Sequence, residues 1–112
     1  MIARHWRGLA HARSADAYIE HLQTETFPAL ARIAGFMGAS LLRRSEVRGV
    51  EFLVITHWES PGAIAQFSGT DPELAVVPEY VRTLMIEYDD RARHYEVIGP
   101  PAAAGFATRP SP

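Results

Sequence analysis

The chain has 112 residues, of which 47% are hydrophobic, and this supplies enough apolar material for one domain with a single core. Its formal net charge is −2, and its eleven cationic side chains are scattered arginines, so neither nucleic acid nor an anionic membrane is an expected partner. Without cysteine, a disulfide framework and a thiol nucleophile are excluded. With no signal-like start and no apolar run of about 18 residues, we expect a cytoplasmic protein.

The first predicted strand covers residues 1–9 and is expected to end near Gly8. Side chains alternate across a strand, so Arg4 and Trp6 share one face of the sheet and His5 faces the other way.

The first predicted helix begins after Ser14, which is a candidate N-cap, and its apolar residues recur at spacings of three and four as far as Ile33. Pro28 lacks a backbone N–H, so a kink or a restart is expected near Phe27. Gly35 follows as a left-handed C-terminal stop.

The second predicted strand covers residues 36–47, and its polar far half is typical of an edge strand. A turn at residues 48–49 joins it to the third strand, whose apolar run at residues 52–55 is typical of a strand covered on both faces. That strand ends at Trp58, and Ser60 and Pro61 then match the N-cap and first position of a helix.

A short helix through Phe67, a helical piece at residues 72–77 and a restart at Pro78 are predicted to follow. The last strand is placed at residues 91–98. Residues 1–99 are thus expected to form the domain, and residues 100–112, rich in Pro and Ala, are expected to be a mobile tail.

The resulting order, βαββαβ, is typical of a ferredoxin-like α+β fold with a four-stranded antiparallel sheet and both helices on one face. Because the third strand is apolar on both faces, we expect a second copy of the chain to cover the open face of the sheet as a homodimer.

Four segments also carry a family resemblance: residues 1–8 (MIARHWRG), the HWES of residues 57–60, the AVVP of residues 75–78 and the HYEV of residues 94–97. On these segments the chain resembles the antibiotic biosynthesis monooxygenase family of small dimeric α+β barrel proteins. The resemblance implies a homodimer and cofactor-independent oxygenation of a planar aromatic or quinol small molecule of polyketide type.

Several family positions are altered in this chain. It contains no asparagine to accompany Trp58, and Ile64 stands near the spacing at which the polyketide oxygenases have a tyrosine. The family's haem degraders carry a histidine in the second helical region, whereas this chain has none between His57 and His94. Haem degradation is therefore disfavoured.

The predicted binding pocket lies where the third strand meets the helical layer. Its proposed walls are aromatic side chains, with Trp58, which matches the pocket tryptophan of the family, ranked first: Trp58, Trp6, Tyr18 and Phe67. Trp58 can also be read as a core residue whose N–H finds a buried acceptor.

The candidate catalytic residues are His57, His94 and Tyr95, with a histidine as the base. His94 and Tyr95 alternate across the last strand, so one of them at most faces the pocket, and His57 points away from the face that carries Trp58. The predicted strand order 4-1-3-2 places His5 near His94 and His57 toward the opposite end. No metal site is therefore expected.

Two alternatives to an oxygenase stay open from the sequence. One is an isomerase, cyclase or lyase that uses the same pocket. The other is a non-catalytic protein that binds a small ligand or acts in assembly.

Overall fold

The computed structural model describes residues 1–99, and the predicted tail at residues 100–112 lies outside the described residues. The strands are β1 (Ile2–Ala10), β2 (Phe36–Ser45), β3 (Val50–Trp58), β4 (Met85–Tyr88) and β5 (Arg93–Glu96). They form one antiparallel sheet in the order β2-β3-β1-β4, and β5 pairs with the first half of β1. The predicted ferredoxin-like architecture and strand order are confirmed.

The helical segments pack on one face of this sheet. They are α1 (Ala15–His21), a π-helical turn (Leu22–Thr26), α2 (Phe27–Leu30), α3 (Pro61–Ser68) and α4 (Glu79–Leu84), with a 3₁₀ turn (Ala12–Ser14) before α1. Within residues 1–99, none of these helices is long and apolar enough to cross a membrane.

The predicted break in the first helical segment is confirmed, since α2 begins at Phe27 after the π-helical turn. The physical reason is Pro28, which has no N–H to donate to the carbonyl of Thr24. The helix predicted to continue to Ile33 and stop at Gly35 ends earlier, at Leu30, and Gly35, with a φ of 92°, lies in the turn before β2.

Of the two predicted N-caps, one forms and the other does not. The Ser60 side chain accepts a hydrogen bond from the backbone N of Ala63 at 3.3 Å, as expected. The Ser14 side chain makes no capping hydrogen bond, because a 3₁₀ turn already precedes α1 and places Ser14 in helical backbone.

The first strand continues past Gly8 to Ala10, so the predicted end at Gly8 is wrong. The ring of Trp6 lies over Gly8, where a Cβ atom would come within 2.6 Å of the Trp6 Cη2 atom. Gly8 is therefore a packing site for Trp6 and not a strand terminator.

Residues 72–77, predicted as helical, contain no helix. Their backbone instead pairs with the chain before β5: Leu74 bridges Arg91, and the N–H of Ala75 donates to the carbonyl of Asp90 at 2.9 Å. The last strand, predicted at residues 91–98, is shortened to β5, and β4 is a strand that the sequence analysis did not predict. We call residues 70–78 the covering segment.

The two faces of the sheet differ in what covers them. The helix-facing side carries the core, with Phe52 and Trp58 fully buried. On the other face, Leu53 and Ile55 are half-buried and Tyr95 is 48% exposed. Within residues 1–99, no helix packs on this outer face.

Candidate functional site

A cavity of about 330 Å³ lies between the helix-facing side of β1 and β3, the first helical segment and the covering segment. Its volume falls at the lower end of the range of about 300–1,000 Å³ found for ligand pockets. The walls are mainly aromatic and aliphatic, and include Trp6, Tyr18, Leu22, Phe27, Val54, Phe67 and Val76. Of the predicted wall residues, the structure therefore places Trp6, Tyr18 and Phe67 in the cavity wall.

Arg4 is the buried charged residue of this cavity wall and is only 4% exposed. Its Nη1 donates to the carbonyl of Pro72 at 2.6 Å, and its Nη2 donates to the carbonyl of Leu74 at 2.8 Å. The guanidinium also lies 5.6 Å from the centre of the Phe67 ring. Arg4 thus ties the covering segment to the sheet.

His94 supports Arg4 from β5, where the two residues are register partners. Its Nε2 lies 2.8 Å from the Arg4 Nη1, and since a guanidinium only donates hydrogen bonds, Nε2 must accept. Burial, and next the Arg4 charge, lower the pKa of His94 against the opposing effect of Glu73. His94 is therefore a neutral support for Arg4, and it is not among the residues that line the described cavity.

Tyr18 lies between two other rings, with centroids 5.0 Å from Phe52 and 6.3 Å from Trp6. It is 2% exposed, and burial raises the pKa of its phenol, so the hydroxyl stays protonated. No hydrogen bond of the Tyr18 hydroxyl is found within residues 1–99, where no side-chain N or O atom is both fully buried and unpartnered. The hydroxyl therefore keeps some accessible surface, on a residue that lines the cavity.

Trp58 is fully buried and stands outside the cavity lining, behind Phe67. Its Nε1 donates to the Thr56 hydroxyl at 2.8 Å, and its ring stacks on Phe67 at 6.1 Å and meets Phe36 edge-on at 5.2 Å. The structure thus places Trp58 in the core layer that supports the wall, which is the second of the two readings made from the sequence.

His57 and Tyr95 lie on the outer face of the sheet, opposite the cavity. The prediction that His57 is far from His5 is wrong: His57 pairs with Ala3, because β1 runs to Ala10 and His5 belongs to its first half. Burial, and next the neighbouring His57, lower the pKa of His5, whose ring lies 4.9 Å from Tyr95. Within residues 1–99, no three His, Cys, Asp or Glu side chains are placed to hold a metal.

Five polar residues line the cavity that the sequence analysis did not assign to it: Arg4, His21, Glu25, Thr26 and Thr56. His21 and Glu25 are four residues apart on the first helical segment, with Glu25 exposed at the mouth. Of these residues, Arg4 could have been found from the sequence, because alternation along the strand places its charge on the same face as Trp6.

Comparisons with known proteins bear on the fold. No family model matches the chain, and no curated protein matches it by sequence. A candidate antibiotic biosynthesis monooxygenase from Bacillus cereus shares 20% identity and a TM-score of 0.64, over 91% of this chain and 97% of that one. The ActVA-Orf6 monooxygenase of Streptomyces coelicolor, solved with nanaomycin D, shares 16% identity and a TM-score of 0.64, over 92% of each chain.

The haem degrader MhuD of Mycobacterium tuberculosis, solved with two haems in its active site, shares 20% identity and a TM-score of 0.58. That match covers 91% of this chain and 100% of MhuD. The chain has the fold of these proteins. The resemblance stated from the sequence is confirmed for the fold. A shared fold does not determine the reaction, which depends on the residues of the cavity.

Proposed function

We propose that the cavity binds a small planar aromatic molecule and that the protein oxygenates an electron-rich aromatic, such as a quinol, without a cofactor. The observation that carries this proposal is a cavity walled by the Trp6 and Phe67 rings and by aliphatic side chains such as Val54 and Val76. Ring faces of this kind suit a flat aromatic ligand. The monooxygenase solved with nanaomycin D on the same fold supports the reaction class.

In this proposal His21 is the base. It lines the cavity, whereas His57 and Tyr95 lie on the outer face and the His94 Nε2 is held by Arg4. Histidine is the side chain suited to take a proton near neutral pH. Removal of one proton from a quinol hydroxyl leaves an anion that can give an electron to molecular oxygen. The two radicals then combine at a ring carbon, and loss of water leaves a hydroxyquinone, so that one oxygen atom enters the product, the other leaves as water and the substrate supplies all the electrons.

We also infer that the working unit is a homodimer in which a second copy covers the outer face. The inference is supported by Leu53 and Ile55, which are half-buried apolar residues on central strand β3, and by Leu42, which is 49% exposed on β2. Monomeric proteins rarely leave a large apolar sheet face open to water.

Oxygen consumption with 1,4-naphthohydroquinone, together with the mass of the product, tests the oxygenase proposal, because oxidation to 1,4-naphthoquinone and hydrogen peroxide also consumes oxygen but adds no oxygen atom. We expect the protein to raise the rate above that of spontaneous oxidation. His21→Gln should lower the protein-dependent rate by about 100-fold, the lower end of the effect of losing a general base. The matched control is His11→Gln, since His11 follows β1 and does not line the cavity. Uptake no faster than without protein would favour the isomerase or binding alternatives.

Haem turnover separates this proposal from the activity of MhuD. We expect no conversion of haemin to an open tetrapyrrole in the presence of a reductant, because the chain has no asparagine and no histidine between residues 57 and 94. Stoichiometric haemin turnover would overturn the proposal of a cofactor-independent enzyme.

A further inference from the structure

The hydrogen-bonding capacity of Arg4 is not used up by its protein contacts. A guanidinium carries five N–H donors. Within the described residues, three hydrogen bonds leave Arg4, to Pro72, Leu74 and His94, and all of them start from Nη1 or Nη2. The Nε–H therefore has no protein acceptor.

This free N–H keeps accessible surface on a residue that lines the cavity. A fully buried Nε without a partner would be an unsatisfied buried nitrogen, and residues 1–99 contain no such side-chain atom. Arg4 as a whole is only 4% exposed and lines the cavity. The accessible surface that Nε keeps is therefore best explained by the cavity itself.

The charge of Arg4 also lacks a close counter-ion. Within residues 1–99, no carboxylate lies within salt-bridge distance of its guanidinium, and its described partners are two carbonyls and a neutral imidazole. Glu73 acts on it only through space, and burial lowers the pKa of Arg4. Burying an unpaired cation is costly, and an anionic ligand oxygen would offset that cost.

Tyr18 supplies a second polar group further along the cavity. Arg4 and Trp6 are two residues apart on one face of β1, or about 7 Å along the strand. Tyr18 packs beyond Arg4, against Trp6 and Phe52. Arg4 and Tyr18 therefore lie at different points along the cavity wall.

We propose that Arg4 and Tyr18 select an aromatic ligand that carries an ionised oxygen at one end and a neutral hydroxyl or carbonyl oxygen at the other. The proposal rests on the proposed function in one respect, that the same cavity takes an aromatic molecule. It adds the ligand's charge, the number of its oxygens and their placement. A carboxylate and a phenolate share the chemistry that Arg4 would recognise.

Calorimetric titration of the full chain with four naphthalene probes tests this proposal. The probes are 2-naphthoate, its methyl ester, 6-hydroxy-2-naphthoate and neutral 2-naphthol. We expect 2-naphthoate to bind at least about tenfold more tightly than the ester, as for a hydrogen bond to a charged group. The 6-hydroxyl should add about fivefold, as for a neutral hydrogen bond.

Two variants separate the two polar groups. Tyr18→Phe should remove the fivefold gain from the 6-hydroxyl and leave the ratio of acid to ester affinity unchanged. Arg4→Gln should bring that ratio close to one and leave the affinity for 2-naphthol unchanged. Because Arg4 also holds the covering segment, thermal unfolding must show that Arg4→Gln is folded. The comparison of 2-naphthoate with its ester in the unmodified protein requires no variant.

The outcomes distinguish the two proposals. Equal affinities for 2-naphthoate and its ester in the unmodified protein would overturn the role of Arg4, while aromatic binding would stand. No binding of any probe, including neutral 2-naphthol, would overturn the proposed function together with this inference. A further titration compares the affinity for 2-naphthoate with that for 1-naphthol at a pH above the pKa of 1-naphthol, where its hydroxyl is ionised. The tighter of the two shows whether Arg4 prefers a carboxylate or a phenolate.

Discussion

Arg4 places a positive charge in a cavity wall that is otherwise mainly apolar. Its register partners on the helix-facing side of the sheet are the buried Thr56 and His94, neither of which carries a negative charge. Hydrogen bonds to backbone carbonyls recover only part of the free energy lost when a cation leaves water. This cost supports the proposal that Arg4 binds an anionic ligand oxygen in addition to holding the covering segment.

The role of Trp58 can be tested through stability. Trp58→Ala should reduce the free energy of unfolding by about 3–5 kcal/mol, because it opens a void in a fully buried layer and removes the donor to Thr56. Trp58→Phe should cost less, since a ring still packs on Phe67. Urea unfolding measures both losses.

Ligand affinity supplies the control for that prediction. Since Trp58 stands behind Phe67 and does not line the cavity, Trp58→Phe should leave the affinity for 2-naphthoate within about twofold. If Trp58→Phe abolished binding without loss of stability, Trp58 would have to contact the ligand directly.

At the scale of elements, the first helical segment lines the cavity largely through its π-helical turn. Residues Leu22, Glu25 and Thr26 all lie in this turn and all line the cavity. A π-turn widens the helix locally and is often found at functional sites. In this chain its immediate cause is Pro28, which interrupts the α-helical hydrogen bonds.

The start of α3 offers a prediction with an internal control. Ser60→Ala should lower the free energy of unfolding by about 1 kcal/mol, because the backbone N–H of Ala63 loses its acceptor. Ser14→Ala should change it by less than about 0.5 kcal/mol, because Ser14 makes no capping bond. Chemical denaturation of both variants measures the difference.

Equal losses for Ser60→Ala and Ser14→Ala would contradict this assignment of the caps. Such a result would mean that the effect arises from intrinsic helix propensity or from the unfolded state and not from the Ser60 hydrogen bond.

At the scale of the whole molecule, we expect two copies of the chain to pack through the apolar outer face of the sheet. Covering several hundred Å² of apolar surface at about 25 cal/mol per Å² contributes several kcal/mol to association. We therefore expect a dimer at micromolar concentration in sedimentation velocity. Ile55→Glu, which places a charge at the centre of the outer face, should shift the protein to monomer.

The matched control is Val47→Glu, in the turn between β2 and β3, where the side chain is fully exposed. It introduces the same charge away from the sheet face and should leave the dimer intact. A monomeric unmodified protein at micromolar concentration, or dissociation by Val47→Glu alone, would contradict packing through the outer face.

The sequence by itself determined the features that depend on near neighbours. Alternation along β1 and β3 established which side chains share a face, Ser60 and Pro61 marked the start of α3, and Pro28 marked the break before α2. Each of these effects acts over one to four residues, through backbone sterics or a local hydrogen bond. The element order then followed, and with it the fold class.

Only the tertiary structure decided which polar groups meet. Arg4 contacts His94, 90 positions away, and Pro72, 68 positions away, so neither contact is encoded in a local pattern. Register placed His57 beside Ala3 and so near His5, and pairing of Leu74 with Arg91 replaced a predicted helix. Such contacts depend on where distant segments of the chain align, and a shift of one residue would turn each side chain to the opposite face.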